Sequence, residues 1–371
     1  MRWFPPSSRQ TRSTPQNRPP RFGGDHLRRR LRGTAGVWAL ILCITRLGPA
    51  GAAEPTAVAA ENFLRHGKGV SSIPGGKVWL CGAERTLRSC LASLGDARRE
   101  LVQQQRFLDQ RIQQNSQAWE ANRQQIAALR TALSGTATEA PERKQIEQQI
   151  RGLKSQAIDP DQLASHSDVR AHLIRFTNAR NALAVKLLAI RRSIPQMEAD
   201  YRSLAADLEV QAALRTLGEG HRLGPLENYL ADLRRLDEYE QLVFTPWLPI
   251  YLQSGRIRAG GILNETTPIT FSWHAEGGPT ILSESMVEAA GLELPAGATP
   301  VPVPLGAGRT LTARRMIVPA LRFGQVVLRD VPVHVSGPDG EDVGAIITAD
   351  ALTGYDVTVE PARLQLSIRP R

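Results

Sequence analysis

Cysteine is nearly missing from this chain: Cys43, Cys81 and Cys90 are the three in 371 residues. None forms a C-x-x-C pair or clusters with histidine at metal-ligand spacing, which excludes a cysteine-held metal site. Cys81 and Cys90 read as two free thiols, although an oxidising compartment permits a bridge between them. The seven histidines (26, 66, 166, 172, 221, 274 and 334) are scattered, with no helical i, i+4 pair. A phosphate-cradling glycine loop, a G-x-S-x-G elbow and an H-E-x-x-H helix are all missing, so three large enzyme classes lose their signature. No metal and no cofactor is expected.

Basic charge is also scarce where a nucleic-acid binder needs it. The net charge is +10, yet residues 1–33 hold nine arginines against one acid, Asp25. From Glu54 onward the chain is almost neutral. A nucleic-acid partner usually meets its basic patch on the folded body, so none is expected here.

The basic leader instead reads as a targeting segment. The run AGVWALILCIT (35–45) follows RRRLRG and is too short for a bilayer span of about 20 residues. It fits the apolar part of a secretory signal, and AGAAE (50–54) offers small residues for cleavage. The expectation is an exported protein of the periplasm or cell envelope. The alternative is an uncleaved N-terminal anchor, the one route to a membrane in this sequence.

What the chain has in quantity is heptad periodicity. Residues 1–53 are the leader and 54–82 a small entry module with a Gly75–Gly76 turn before an apolar VWL. Residues 83–241 are helical. Leu87, Leu94, Leu101 and Leu108 repeat every seven, and Leu91, Ile112, Trp119, Ile126 and Leu133 form a companion series. Arg98, Gln105, Asn115 and Asn122 interrupt it. SGTATEAP (134–141) breaks the helix, a shorter helix follows, and DPD (159–161) ends that one. A second long stripe runs Val169, Leu173, Phe176, Arg180, Leu183, Leu187, Ile190, Ile194, Met197, Tyr201, Leu204 and Leu208, with Arg180 as its charged defect. Such a sustained 3.5-residue period predicts a coiled coil. Pro195 should kink it. An antiparallel hairpin within one chain and a parallel dimer both satisfy the pattern, and self-association into a homo-oligomer is expected. LGEGHRLGP (217–225) breaks the stripe before one more helix.

Beyond Phe244 the composition turns to glycine, proline, valine and threonine. Short alternating segments follow at close spacing: IYLQ, RIRAGGIL, PITFSW, LTARRMIVPAL, VVLRDVPVHV, YDVTVE and RLQLSI. This predicts an all-β domain over 242–371. The whole is an α + β multidomain chain.

One phrase in the β domain carries the functional question. TFSWHAEGGPTILSESMVEAAGL (270–292) reads as strand, glycine turn, strand and short helix. AIITADALTGYDVTVEPARLQLSI (345–368) reads as an apolar pair, a short helix and two strands. Between them, VPVPLGAGRTLTARRMIVPALRFGQVVLRDVPVHV supplies long strands with a tight turn at Gly324. Together these resemble the retropepsin-like aspartic protease family in its single-domain bacterial form. The resemblance covers about Pro246 to Ile368 and implies an acid-protease barrel that pairs with a second copy.

It also implies a catalytic aspartate that is not present. Aligned on TILS (280–283), His274 falls at the aspartate position, Ala275 at the neighbouring hydroxyl and Glu276 at the following glycine. At the second motif, Ile346 and Ile347 match the apolar pair, Thr348 replaces a glycine, and Asp350 and Leu352 match the short helix. The family's chemistry needs two carboxylates sharing a proton across a water. Imidazoles near neutral pH are largely uncharged and do not reproduce that anion.

His274 then has three readings. It is a plain polar residue in a degenerate turn, half of a His274–Glu276 ligand or metal site built by two protomers, or a misaligned neighbour of some other working carboxylate. Asp330, Asp342 and Asp350 are the candidates for the last, and Asp350 reads as a helix N-terminal residue. The expectation is a non-catalytic exported protein whose degenerate domain binds an extended peptide by strand addition or dimerises. An active aspartic endopeptidase with a divergent dyad and a purely structural envelope protein are the alternatives.

Overall fold

In the computed structural model, residues 56–73, 76–135, 141–306, 309–337 and 343–371 are described. The leader with its apolar run, the Gly75 half of the first turn, and Asp342 lie outside them. Residues 55–371 form one unit.

The entry module begins at Thr56, whose hydroxyl accepts from the Ala59 N–H at 3.3 Å and caps α1 (Ala57–Asn62). A π-helical turn (Phe63–Gly67) leads into β1 (Ser71–Ser72) and β2 (Val78–Leu80). β2 also pairs, in parallel, with β3 (Arg222–Leu223). The Trp79 indole is buried and donates to His221 Nδ1 at 3.2 Å. The glycine-rich stretch 217–225 is therefore more than a helix breaker: it carries the third strand that ties the module down.

The long helix α2 (Gly82–Ser134) has 53 residues and spans about 80 Å at 1.5 Å per residue. Leu87, Leu94, Leu101 and Leu108 are all buried, one per two turns. α3 (Pro141–Gln156), a 3-10 turn (Pro160–Ser165) and α4 (Ser167–Ala206) return along it. Tyr201, late in α4, donates to Glu84 at the start of α2, whereas His172, early in α4, stacks on Phe107 at 3.9 Å. The pairing is thus antiparallel and within one chain.

Two residues that interrupt the heptads pin this return. Asn122 Nδ2 donates to the Leu153 carbonyl at 2.9 Å, and Asn115 brackets Ile158, accepting from its N–H at 3.0 Å and donating to its carbonyl at 2.8 Å. Seven residues apart, they fix the register that the apolar stripe leaves free. Pro195 lies inside α4 without ending it. The helix stops instead at Asp207, whose carboxylate accepts from Glu209 and Val210 N–H and starts α5 (Leu208–Thr216). α6 (Tyr229–Val243) closes the helical part. Cys81 and Cys90 are free thiols. Among the described residues no helix is long and apolar enough to cross a membrane.

The β domain contains β4 (Trp247–Gln253), β5 (Arg256–Leu263), β6 (Thr267–His274), β7 (Ile281–Ser283), α7 (Glu284–Ala289), β8 (Pro300–Gly306), β9 (Arg309–Phe323), β10 (Val326–Ser336), β11 (Ala345–Thr348), β12 (Tyr355–Glu360) and β13 (Gln365–Pro370). Strand order is β12-β13-β4-β5-β6-β11-β7-β10-β9-β8, with β5 pairing β9 as well. β11 enters between β6 and β7, parallel to the first and antiparallel to the second. Three strands of this list escape a periodicity reading. β7 and β11 have three and four residues, and β8 carries proline at every second position (Pro300, Pro302, Pro304), which normally argues against a strand.

The two parts are joined through α4, which has two buried faces. One packs on α2; the other, with Thr177, Arg180, Asn181 and Ala184, meets β4, β5 and β6. The fit depends on Gly260. A Cβ there would lie 2.5 Å from Thr177 Cγ2 and 2.6 Å from Asn181 Nδ2. Arg180, the charged defect of the second stripe, is 3% exposed. Its guanidinium donates to the Val243 carbonyl at 2.9 Å, the Thr245 hydroxyl at 2.8 Å and the Trp247 carbonyl at 3.1 Å. It thus holds the whole connection from α6 into β4. Burial pushes its pKa down to about 10, so it remains a cation at neutral pH.

Candidate functional site

The site grows from the place where β6 ends. β6 alternates: Phe271 and Trp273 enter the β core, while Ser272 and His274 face the other way. β11 lies alongside in parallel register, so Ile346 stands beside Ser272 and Thr348 beside His274. Past His274 the chain leaves the sheet through Ala275, Glu276 and Gly277, all exposed.

Two side chains from the second motif then hold the glycine turn. Thr348 is buried, and its hydroxyl donates to the Gly278 carbonyl at 2.7 Å. Asp350 accepts from the Gly278 N–H at 2.7 Å. It lies in the first turn of the 3-10 segment Ala349–Leu352, as a helix N-terminal residue should, but its carboxylate reaches across to this turn. A Cβ at Gly277 would come within 2.8 Å of that carboxylate, so a larger residue there would displace the Asp350 side chain from the turn. The Thr348 hydroxyl thus acts as a strut for the turn.

His274 is half-buried. Desolvation first, and then the cationic neighbour Arg256, push its pKa below the ordinary histidine value; Glu276 pulls it upward and Arg258 pushes it down further. The ring is therefore neutral at pH 7. No carboxylate stands at the end of β6, and the surroundings of His274 are cationic.

The other sequence candidates separate. Asp330 and Asp350 line one groove of about 550 Å³, with Gly278, Thr280, His334 and Tyr355. Asp330 holds a positive φ of 50° in the middle of β10, a left-handed conformation that aspartate adopts more readily than most residues. His334 accepts from Arg315 Nε at 3.2 Å, and its pKa is lowered by desolvation and by that arginine. Among the described residues no group of three or more His, Cys, Asp or Glu could hold a metal.

Sequence reasoning did not single out Arg256, Arg258 or Ser272. Their signal was present in RIRAGG: two arginines two apart, on one strand face, in a domain without charge runs.

The side of β7 and β11 that faces away from the main β core, the side of Ser272 and His274, is covered by the β8–β9 hairpin. Ile281 and Ile346 pack there with Val303, Leu311, Ala313 and Val343 in a small apolar cluster separate from the main β core.

A sequence family described as aspartyl protease matches residues 277–351. The C-terminal region is retropepsin-like. The match starts three residues beyond His274 and runs through Asp350. Among solved structures the chain is similar to a retropepsin-like aspartic protease from Rickettsia conorii, at 13% identity over 33% of this chain and 89% of that one, with a TM-score of 0.27. It is also similar to the retroviral protease-like domain of Ddi1 from Leishmania major, at 14% identity over 30% of this chain and 87% of that one, with a TM-score of 0.24. No curated protein matches the chain.

Proposed function

We propose that this is an exported, non-catalytic protein. In this reading a retropepsin-like barrel serves as a binding or dimerisation module, carried on a helical coiled-coil region that self-associates. One observation carries the loss of catalysis. The position that should supply a carboxylate holds a neutral, half-buried imidazole among arginines, and the adjoining turn is strutted by Thr348 and Asp350. A shared-proton dyad needs two carboxylates close enough that they cannot both ionise. A pair of such turns, one from each of two copies, brings two imidazoles instead.

Closure of the sheet through the β5–β9 pairing supports the barrel. Self-association has its own support far along the hairpin. Beyond Leu108, Asn122 is the one buried residue of α2, and Ile150 the one buried residue of α3. Leu129, Leu153, Ala128 and Gly152 floor an open groove between the helices, rimmed by Gln125, Gln149 and Gln156. That uncharged rim can face a second copy of itself without like-charge repulsion.

The test is proteolysis. Purified protein is incubated with unfolded polypeptide from pH 3 to 7, with and without a transition-state inhibitor of aspartic proteases. No inhibitor-sensitive cleavage is expected.

A second reading, a divergent acid protease, is favoured by the groove that Asp330 and Asp350 share. It requires cleavage that disappears in both Asp330→Asn and Asp350→Asn.

A further inference from the structure

The face of the β domain that carries His274 holds positive charge with no partner. In the antiparallel β5–β6 register Arg258 is paired with Ser272. Two residues on, along the same register, Arg256 stands across from His274. Directly opposed residues share a face, so both arginines, Ser272 and His274 lie together. Ile346, beside Ser272 on β11, puts this same face under the β8–β9 hairpin.

Among the described residues, neither arginine has an ion pair or a hydrogen bond to a carboxylate. Arg258 is half-buried, and its Nε is buried without a hydrogen-bond partner. The Ser272 hydroxyl, in a residue 0% exposed, is likewise unpartnered. Buried donors are nearly always satisfied, and a desolvated cation is costly when unpaired. Elsewhere in the domain Arg314 pairs with Glu284, and Arg322 and Arg329 pair with Glu265, although the Arg322 Nε is also buried without a hydrogen-bond partner. Glu276, the acid nearest in sequence to His274, is exposed and forms no ion pair.

We propose that Arg256 and Arg258, with His274 beside them, form a binding site for a carboxylate, presented by an acidic peptide segment entering beneath the β8–β9 hairpin. A guanidinium takes a carboxylate through two parallel N–H···O bonds, which supplies the missing partner for Arg258. Where an aspartic protease places negative charge, this domain places positive charge, and its ligand changes sign accordingly. The inference rests on the reading of the domain as a binding module.

The experiment titrates the full chain with a labelled short oligoglutamate peptide and, separately, with the matching oligoglutamine peptide, by fluorescence anisotropy. Oligoglutamate binding is expected, weakening as salt rises, with no binding of oligoglutamine. Arg258→Gln is expected to weaken oligoglutamate at least about tenfold, the loss of one charge-assisted contact, and Arg256→Gln by less. Circular dichroism and thermal melting accompany each variant, and Arg258→Lys, which keeps the charge, should recover part of the affinity. Equal binding of the two peptides, no binding of oligoglutamate, or binding unchanged in a folded Arg256→Gln/Arg258→Gln double variant overturns the proposal. Cleavage of either peptide overturns the non-catalytic reading instead, so the two failures are distinguishable.

Discussion

Along α2 the buried leucines recur every seven residues and pack mainly against the helix that returns beside it. In the β domain, Phe271 of β6 meets Phe323 of β9 edge to face at 5.0 Å, joining strands that are remote in sequence. The helical hairpin is a repeating seam whose register is set by a few polar pins. The β domain is a ten-stranded sheet of long-range pairings whose register is set by many strands at once. A polar residue accordingly means something different in each. In the hairpin Asn115 and Asn122 choose one alignment among several. At the joint with the β domain, Arg180 and Asn181 bond backbone carbonyls at Val243, Trp247 and Ile269.

The comparison breaks most sharply at that joint. Gly260→Val pushes a branched side chain into Thr177 and Asn181 and should cost about 3 kcal/mol or more, since overpacking with little room to relax is among the larger single-site penalties. Denaturant unfolding of the variant should then show the helical part and the β domain melting in separate transitions. On the hairpin side the same class of change is harmless: Gly152→Ala meets nothing within 4 Å and should stabilise α3 by about 0.5–1 kcal/mol. Next in size is Arg180→Met. It keeps much of the packing volume but strands the acceptors at Val243, Thr245 and Trp247, at about 2–4 kcal/mol by equilibrium unfolding. Asn122→Ala removes one side-chain to backbone bond and should cost about 1 kcal/mol, with loss of protection at Leu153 and its neighbours in hydrogen exchange.

The smallest effect is a pH dependence confined to the β domain. His274 and His334 both have pKa values lowered on folding, first by desolvation and then by arginines. The folded state therefore binds their protons less readily than the unfolded chain. Their contribution to stability is fully present above about pH 6.5 and is lost as pH falls through that value toward the depressed ones. Melting temperatures taken from pH 7.5 down to 5 should decline, and His274→Asn/His334→Asn should flatten the decline.

Much of this was legible in the sequence, for reasons that follow the same division. The hairpin leucines announce themselves because one face of a straight helix repeats at fixed spacing. What the stripe does not carry is the role of its defects. Arg180 reads as a flaw until the segment 243–247 arrives beneath it, a contact that no local pattern encodes. In the β domain, TILSESMVEAAGL and AIITADAL carry the frame by resemblance, and the family match over 277–351 agrees with it. Alternation marks neither β8, with its prolines, nor the short β7 and β11; the second strand of the 270–292 phrase, TILS, holds β7. At the site, the sequence places His274 at the end of a strand and Thr348 in the second motif, and the structure sets the two side by side. The strut from Asp350 to Gly278 was not legible, because it joins residues brought together by the strand inserted between β6 and β7.

The central claim is that this domain keeps the frame of an aspartic protease and has lost its chemistry. The most direct measurement is the cleavage rate of unfolded polypeptide between pH 3 and 7 by the native chain, beside the same chain carrying His274→Asp. The account predicts no cleavage by the native chain and little by the variant, because Glu276 and Thr348 still occupy the turn and Arg256 and Arg258 still surround it. Inhibitor-sensitive cleavage by the native chain would contradict it.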